Sequence, residues 1–341
     1  MKTYFGSIQK LSFEINKLLD NKNIYMVFDE NTLEYLNAFE SIITKNIKYL
    51  VIPSGEENKN LDNVTEIWNF LNLNHAKKRD FLLIIGGGMI GDMAGFAASN
   101  FKRGMKFILF PSTLLSMVDS SIGGKTGFNY NSIKNNIGAL SYPEAVFYDV
   151  NFLKTLPENH IISGLSEVYK HSIIGDRTLW DYLKSNPKKL DYNYIIERSF
   201  ILKSKIVEKD PNENNIRKKL NFGHTIGHAI ESFYLNKKQP ILHGFAIAKG
   251  MIIESFIAKK ERILNDDDYQ EIRNILSKYF NSYIDFKIKT DSLTKLMKFD
   301  KKNTSEKINF SLPNSIGKVS INHEIELKKV ESYLLDFFQN D

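Results

Sequence analysis

A parallel α/β domain followed by a mainly α-helical one is the architecture this sequence predicts, and three observations lead to it. Apolar runs at 24–28, 49–52, 81–85, 107–110 and 145–148 recur through the first half with helical patterns between them. Runs of this length that are apolar throughout mark strands buried on both faces, and the intervening helices return the chain for parallel pairing. Beyond about residue 151 the strand runs stop, and long amphipathic patterns follow at 194–208, 245–259 and 267–280. At 341 residues with 42% hydrophobic content, the chain can bury a real core and is long enough for two domains. The expected division is 1–151 and 152–341.

Composition narrows the function classes. No stretch approaches the roughly 20 apolar residues of a membrane helix, and residues 1–10 lack the apolar core of a signal peptide, so no membrane partner and a cytoplasmic location are expected. With no cysteine there can be neither a disulfide nor a thiolate ligand, and any metal must be held by histidine and carboxylate. The net charge of +6 is spread among acids, as in 261–268, with no long basic arm, so no nucleic-acid partner is expected.

Taken in chain order, the first strand run ends at Asp29 and the second leads into PSGEENK with Glu56, two acceptors able to bond ribose hydroxyls. After the third comes GGGMIGDMAGF, where Gly86, Gly88 and Gly91 fit a Rossmann-like dinucleotide fingerprint and open a helix. Backbone amides at such a start hold a pyrophosphate. The usual acidic residue about 20 positions on is missing, since 106–110 is basic and apolar, and Asp29 and Glu56 stand in for it. The next stretch carries Gly124, Lys125 and Thr126, but a phosphate-binding loop needs glycine at the position of Asp119. That leaves a glycine-flanked lysine beside an aspartate, with Arg103, Lys134 and Asn135 nearby, suited to an anionic, hydroxylated ligand.

In the second half NFGHTIGHAIE sets His224 and His228 one helical turn apart. A catalytic metal takes three protein ligands, and His243 and the mid-helix Glu167 are further candidates. The spacing leaves open whether His224 and His228 ligate together, or merely cap and pack their helix. Residues 307–321 alternate around a Pro-Asn-Ser-Ile-Gly turn and predict a late hairpin.

The blocks PSGEENK, GGGMIGDMAGF, RGM, PSTLL, VDSSIGGKTGFN, KNNIG, FLKTLP, SGLSEVYK, NFGHTIGHAIE, HG and DKK resemble, in order, the 3-dehydroquinate synthase family of sugar phosphate cyclases, up to Lys302. Departures are few. Met89 stands where valine is common, His171 where tyrosine is common, and DPNENNIR lacks a glycine often seen before the arginine. The resemblance implies a dehydroquinate synthase-like fold with an NAD-binding domain and a helical metal- and substrate-binding domain. It makes Glu167, His224 and His243 the ligands of Zn2+ or Co2+ and gives His228 to the substrate. NAD contacts would be Asp29, Glu56, Lys59, Gly87, Gly88, Met89, Asp92, Ser112, Thr113, Lys134, Phe152 and Thr155. The substrate pocket would hold Asp119, Lys125, Lys134, Asn135, Lys170, Lys203, Glu213, Arg217, Asn221, His228 and one lysine of DKK, taken as Lys301. Arg103 would reach the phosphate in the neighbouring subunit of a homodimer.

The implied reaction converts 3-deoxy-D-arabino-heptulosonate 7-phosphate to 3-dehydroquinate and phosphate in the shikimate pathway. It runs by transient oxidation with NAD, phosphate elimination, re-reduction, ring opening and intramolecular aldol closure, a phosphate-eliminating lyase in which NAD is not consumed. Its unstable intermediates imply a site between the domains from which water is excluded. A substrate with both carboxylate and phosphate needs several fixed cations, and Lys125, Lys203, Arg217 and Lys301 suit that need. Inosose or valiolone cyclases, a metal-dependent polyol dehydrogenase and a catalytically dead scaffold are the competing readings. Retention of Lys203, Arg217 and Asn221 together argues for the carboxylated substrate.

Overall fold

The five apolar runs form five strands of one six-stranded parallel sheet in the computed structural model, which describes residues 1–131, 133–185, 187–284, 288, 290–298 and 306–340. The chain groups into two compact units, Met1–Pro157 and Glu158–Asp341. In the first, the strands are β1 (Lys2–Phe5), β2 (Ile24–Asp29), β3 (Ile47–Ile52), β4 (Phe81–Gly86), β5 (Lys106–Pro111), β6 (Lys125–Tyr130), β7 (Ile133–Leu140) and β8 (Ala145–Tyr148). The helices are α1 (Ser12–Leu19), α2 (Leu36–Ile42), α3 (Leu61–Leu73) and α4 (Gly88–Asn100). The sheet order is β1-β8-β5-β4-β2-β3, so the crossovers from β2 run one way to β3 and back past it to β4.

Central strands β2 and β4 are buried along their whole length, as their unbroken apolar sequence requires, while edge strand β3 is only partly covered. Strand β1 had no apolar signature because it is a four-residue edge strand with exposed ends. Strands β6 and β7 form a separate antiparallel hairpin, an element the sequence reading did not predict. A short 3-10 helix, Val150–Lys154, remains with the first unit, carrying its end past the expected division at 151/152. Asp149 caps that turn and also accepts the amide of Ile8 at 2.9 Å.

The second unit holds α5 (Glu158–Gly175), α6 (Arg177–Lys184), α7 (Tyr192–Lys209), α8 (His224–Asn236), α9 (His243–Lys260), α10 (Asp266–Ile284), α11 (Thr290–Lys298) and α12 (Leu327–Asn340). Between the last two helices lies the late hairpin of β9 (Lys307–Ser315) and β10 (Lys318–Glu326), turning at Ile316 and Gly317. Helix α9 is apolar on nearly every side and is buried accordingly, with Ile247, Met251 and Ile253 fully inaccessible. No helix among the described residues is long and apolar enough to cross a membrane.

Candidate active site

In the first unit Asp29 and the Gly87–Gly88 turn lie at the carboxyl ends of β2 and β4, where the strand order reverses. Open α/β sheets bind ligands at that switch point. Asp29 ends β2, and its buried carboxylate takes hydrogen bonds from Thr32 Oγ1 at 3.2 Å and from the amide of Gly87. Burial outweighs these donors and raises its pKa. Gly87 caps α4, and Gly88 opens it. Gly91 has no atom within 4 Å of an ideal Cβ, so it borders open space; the glycine packed tightly under the helix is instead Gly95, where a Cβ would lie 2.9 Å from Thr126 Cγ2. Sequence reasoning missed Gly95 because the fingerprint stops short of it. A cleft lined by Gly87, Gly88, Gly91, Asp92, Ser120 and Lys125, among others, opens beside this turn.

Lys59, from the loop after β3, is buried at 3% exposure and reaches Asp92 Oδ2 at 2.7 Å and Asn135 Oδ1 at 2.6 Å. Three predicted residues far apart in sequence thus share one polar cluster. Glu56 Oε1 accepts from Asn129 at 2.9 Å, and Asn129 Oδ1 accepts the amide of Asn135 at 2.8 Å, tying the loop to the hairpin. Ser112 is buried with its amide on Gly86 O, and Thr113 pairs with Ser116 at the start of a widened helical turn, Ser116–Ser120, that carries Asp119. Phe152 and Thr155 are joined by Tyr35, whose hydroxyl bonds Phe152 O at 3.3 Å and contacts Thr155 Oγ1. Met89 follows Gly88 in the first turn of α4, Lys134 is exposed on β7, and Arg103 is exposed after α4.

In the second unit Glu167 on α5, His224 at the start of α8 and His243 at the start of α9 bring their donor atoms within 4.8 Å of one another. Close helix contact makes this possible: a Cβ on Gly244 would lie 1.9 Å from Ser163 O, so only glycine lets α9 begin against α5 one turn from Glu167. Glu167 Oε1 is 3.6 Å from His224 Nε2 and 3.4 Å from His243 Nε2. Donors each bound at roughly 2.0–2.2 Å to one tetrahedral ion stand roughly 3.3–3.6 Å apart. The residues present therefore fit a divalent ion with nitrogen and oxygen ligands.

For Glu167 and His224 the electrostatics agree with that donor set. Burial would raise the pKa of Glu167, but the ammonium of Lys170 against it, helped by both imidazoles, holds it well below the carboxylate range. His224 is kept well below its ordinary value by burial and by Lys170, leaving the neutral ring that a metal needs. His243 is pushed up to about 10: burial acts against protonation, and the carboxylates of Glu231 and Glu167 outweigh it. The remaining ring nitrogens are also engaged, His224 Nδ1 with Phe222 O and His243 Nδ1 with Glu231 Oε2, each at 3.1 Å. Such partners fix the tautomer and aim Nε2 at the ion. Glu231 had been quoted within its motif without a role; its i+7 spacing from His224 on α8 was the available signal.

His228 lies on the exposed side of α8, its ring centroid 5.2 Å from that of His224. It forms a second group of ligand-distance donors with Glu231 and His243, but none that includes His224 among the described residues. Lys170, Lys203 and Arg217 are all buried. Arg217 bonds Pro211 O at 2.6 Å, and Asn221 Nδ2 donates to Glu213 Oε1 at 2.9 Å. The loop bearing Glu213 and Arg217 is folded by Asp210, whose carboxylate accepts the amides of Asn214, Asn215 and Arg217 at 2.7–3.0 Å. Desolvation works to raise the pKa of Asp210, and these amides hold it below the usual range. Lys301 and the rest of DKK lie outside the described residues.

The family profile described as 3-dehydroquinate synthase N-terminal matches residues 49–163, and its C-terminal counterpart matches 164–303. The 3-dehydroquinate synthase of Parabacteroides distasonis is 37% identical over 328 residues, covering 93% of this chain and 91% of that protein. Among solved structures, 2-epi-5-epi-valiolone synthase from Streptomyces hygroscopicus subsp. jinggangensis, with NAD+ and Zn2+ bound, has a TM-score of 0.87 at 21% identity over 100% of this chain and 97% of its own. A 2-deoxy-scyllo-inosose synthase complexed with carbaglucose-6-phosphate, NAD+ and Co2+ scores 0.86 at 23% identity over 98% and 96%. These two likenesses show the fold. The matched profiles and the curated relative go further: the chain belongs to the 3-dehydroquinate synthase family.

Proposed function

We propose that the chain converts 3-deoxy-D-arabino-heptulosonate 7-phosphate to 3-dehydroquinate and phosphate, using NAD and a divalent metal held by Glu167, His224 and His243. The observation that carries this reading is that donor triad, in a chain whose two halves both match the synthase family. When bound, NAD would take and return one hydride while Zn2+ or Co2+ would supply Lewis acidity toward substrate oxygens. The remaining steps rest on the chain's own groups. Amides at the Gly87–Gly88 turn hold the pyrophosphate, Asp29 and Glu56 face the ribose, and Lys59 with Asp92 braces the first turn of α4. Ser112, Thr113, Phe152 and Thr155 complete the cofactor cradle.

Buried Lys203 and Arg217, beside Asn221 on the loop that Asp210 folds, provide the fork and point charge that a carboxylate requires. His228 stabilises the departing phosphate, whose own oxygen takes the neighbouring proton. Lys170 balances Glu167 and keeps the buried carboxylate ionised. Inosose and valiolone cyclases share the fold but only 21–23% identity with this chain. We further place the enzyme in the cytoplasm as a homodimer, with exposed Arg103 reaching the phosphate bound by the partner.

The test is to supply metal, NAD and the heptulosonate phosphate and follow products. Equal amounts of phosphate and 3-dehydroquinate with no net NADH are expected. Net NADH without phosphate would make the chain a dehydrogenase. Turnover only of a sugar phosphate lacking the carboxylate would move it to the other cyclases.

A further inference from the structure

Glu254 lies on α9 about three turns beyond His243 and is fully buried. Its Oε2 accepts the amide of Gly223 at 2.7 Å, and its Oε1 accepts the amide of Ile226 at 3.0 Å. Those amides begin α8, and His224 sits between them. Helix α8 lacks a side-chain cap of its own, because its N-cap is Gly223 in the left-handed conformation, φ +80°. The donors exposed at this helix start, and the positive end of its dipole, are therefore met by a carboxylate from the neighbouring helix. Backbone contact reinforces the clamp. A Cβ on Gly250 would lie 2.1 Å from Gly223 O, and one on Gly223 would lie 2.5 Å from Met251 Cγ. One helix thus supplies His243 at its first residue and, through Glu254, grips the turn that carries His224.

We propose that Glu254 is a positioning residue of the metal centre: by clamping the first turn of α8 to α9 it sets the separation of His224 and His243, and with it the affinity for the ion. The proposal rests on the reading of Glu167, His224 and His243 as metal ligands. An ordinary helix cap would change stability alone and leave the metal affinity of the folded protein unaltered.

The experiment compares the full chain with Glu254→Gln, which keeps the shape but offers one acceptor oxygen, and Glu254→Asp, which keeps the charge but is one methylene short. Zn2+ affinity is read by competition with a chelator, ligand geometry by the visible absorption of the Co2+-loaded protein, and stability by thermal unfolding of the metal-free protein. Zn2+ binding weakened by about 10- to 100-fold, the magnitude usual for groups that orient a ligand, together with altered Co2+ bands, is the expected result. Where the Gln variant fails to fold, the Asp variant decides by the same two readouts. Folded variants with a lower melting point but wild-type Zn2+ affinity and Co2+ bands would overturn the proposal, as would failure of both to fold at saturating metal. A wild-type protein that binds no Zn2+ would instead remove the ligand reading itself.

Discussion

The two units assemble their functional residues by different physical means. In Met1–Pro157 the carboxyl ends of parallel strands do the gathering: β2 delivers Asp29, β4 delivers the Gly87–Gly88 turn, and the sheet order alone makes them neighbours. In Glu158–Asp341 helix α5 must cross closely with the much later α8 and α9 before Glu167, His224 and His243 can meet, and small residues at the crossings decide whether they do. A site at strand ends is set by topology, whereas a site at helix crossings is set by packing. The first is therefore expected to tolerate substitution around it better than the second.

The largest effect should come from breaking the packed site. His224→Ala or His243→Ala is expected to abolish stoichiometric metal binding, whereas His228→Ala should retain the metal and lose turnover. Full occupancy in a His224 or His243 variant, by elemental analysis, would strike that residue from the ligand set. In the strand-end site, Lys59→Ala should cost about 2 kcal/mol of stability, since it removes a buried ammonium that bonds both Asp92 and Asn135. NAD binding should weaken as well, and unchanged denaturant and NAD titrations would show that the cluster is incidental.

A smaller effect is expected for Glu231→Gln, which retains an oxygen toward His243 Nδ1 but removes the charge. Zn2+ affinity should fall about tenfold, and an unaltered chelator competition would assign Glu231 to packing. The mildest contrast is with acid. Glu271, which takes Trp180 Nε1 at 2.6 Å and pairs with Lys184, and Asp210 both have depressed pKa values. A depressed carboxylate contributes stability above its unfolded pKa of about 4 and loses it as pH falls through the folded value. Asp29 in the first unit is shifted the other way, so acid does not weaken it. The chain has two tryptophans, Trp68 in the first unit and Trp180 in the second, and single-tryptophan variants can follow each. Trp180 fluorescence should change at higher pH than Trp68 fluorescence on acidification. The reverse order would contradict the comparison.

How much the sequence revealed follows the same division. Strands β2, β4, β5 and β8 were legible because burial on both faces demands unbroken apolar runs, and the glycine turn because a helix start after a strand has a local signature. The hairpin of β6 and β7 was not, since most of β7 is exposed and its polar residues resemble a ligand loop. His224 and His228 could not be separated by spacing, because one helical turn puts both on the same face. Only the approach of α5, bringing Glu167 to His224 and His243, distinguishes them. Glu231 and Glu254 went unread for a related reason: a buried carboxylate behind a ligand leaves no motif, and its role follows from which amide or imidazole it meets.

The most direct test loads the protein with one equivalent each of metal and NAD, adds excess heptulosonate phosphate, and follows NADH absorbance together with phosphate release. Many turnovers per bound NAD are expected, with absorbance rising early, holding low during turnover and returning to baseline on exhaustion, and no turnover in the His224→Ala protein. Turnover that stops after one equivalent, or NADH that accumulates in step with product, would contradict a cofactor that is returned unchanged.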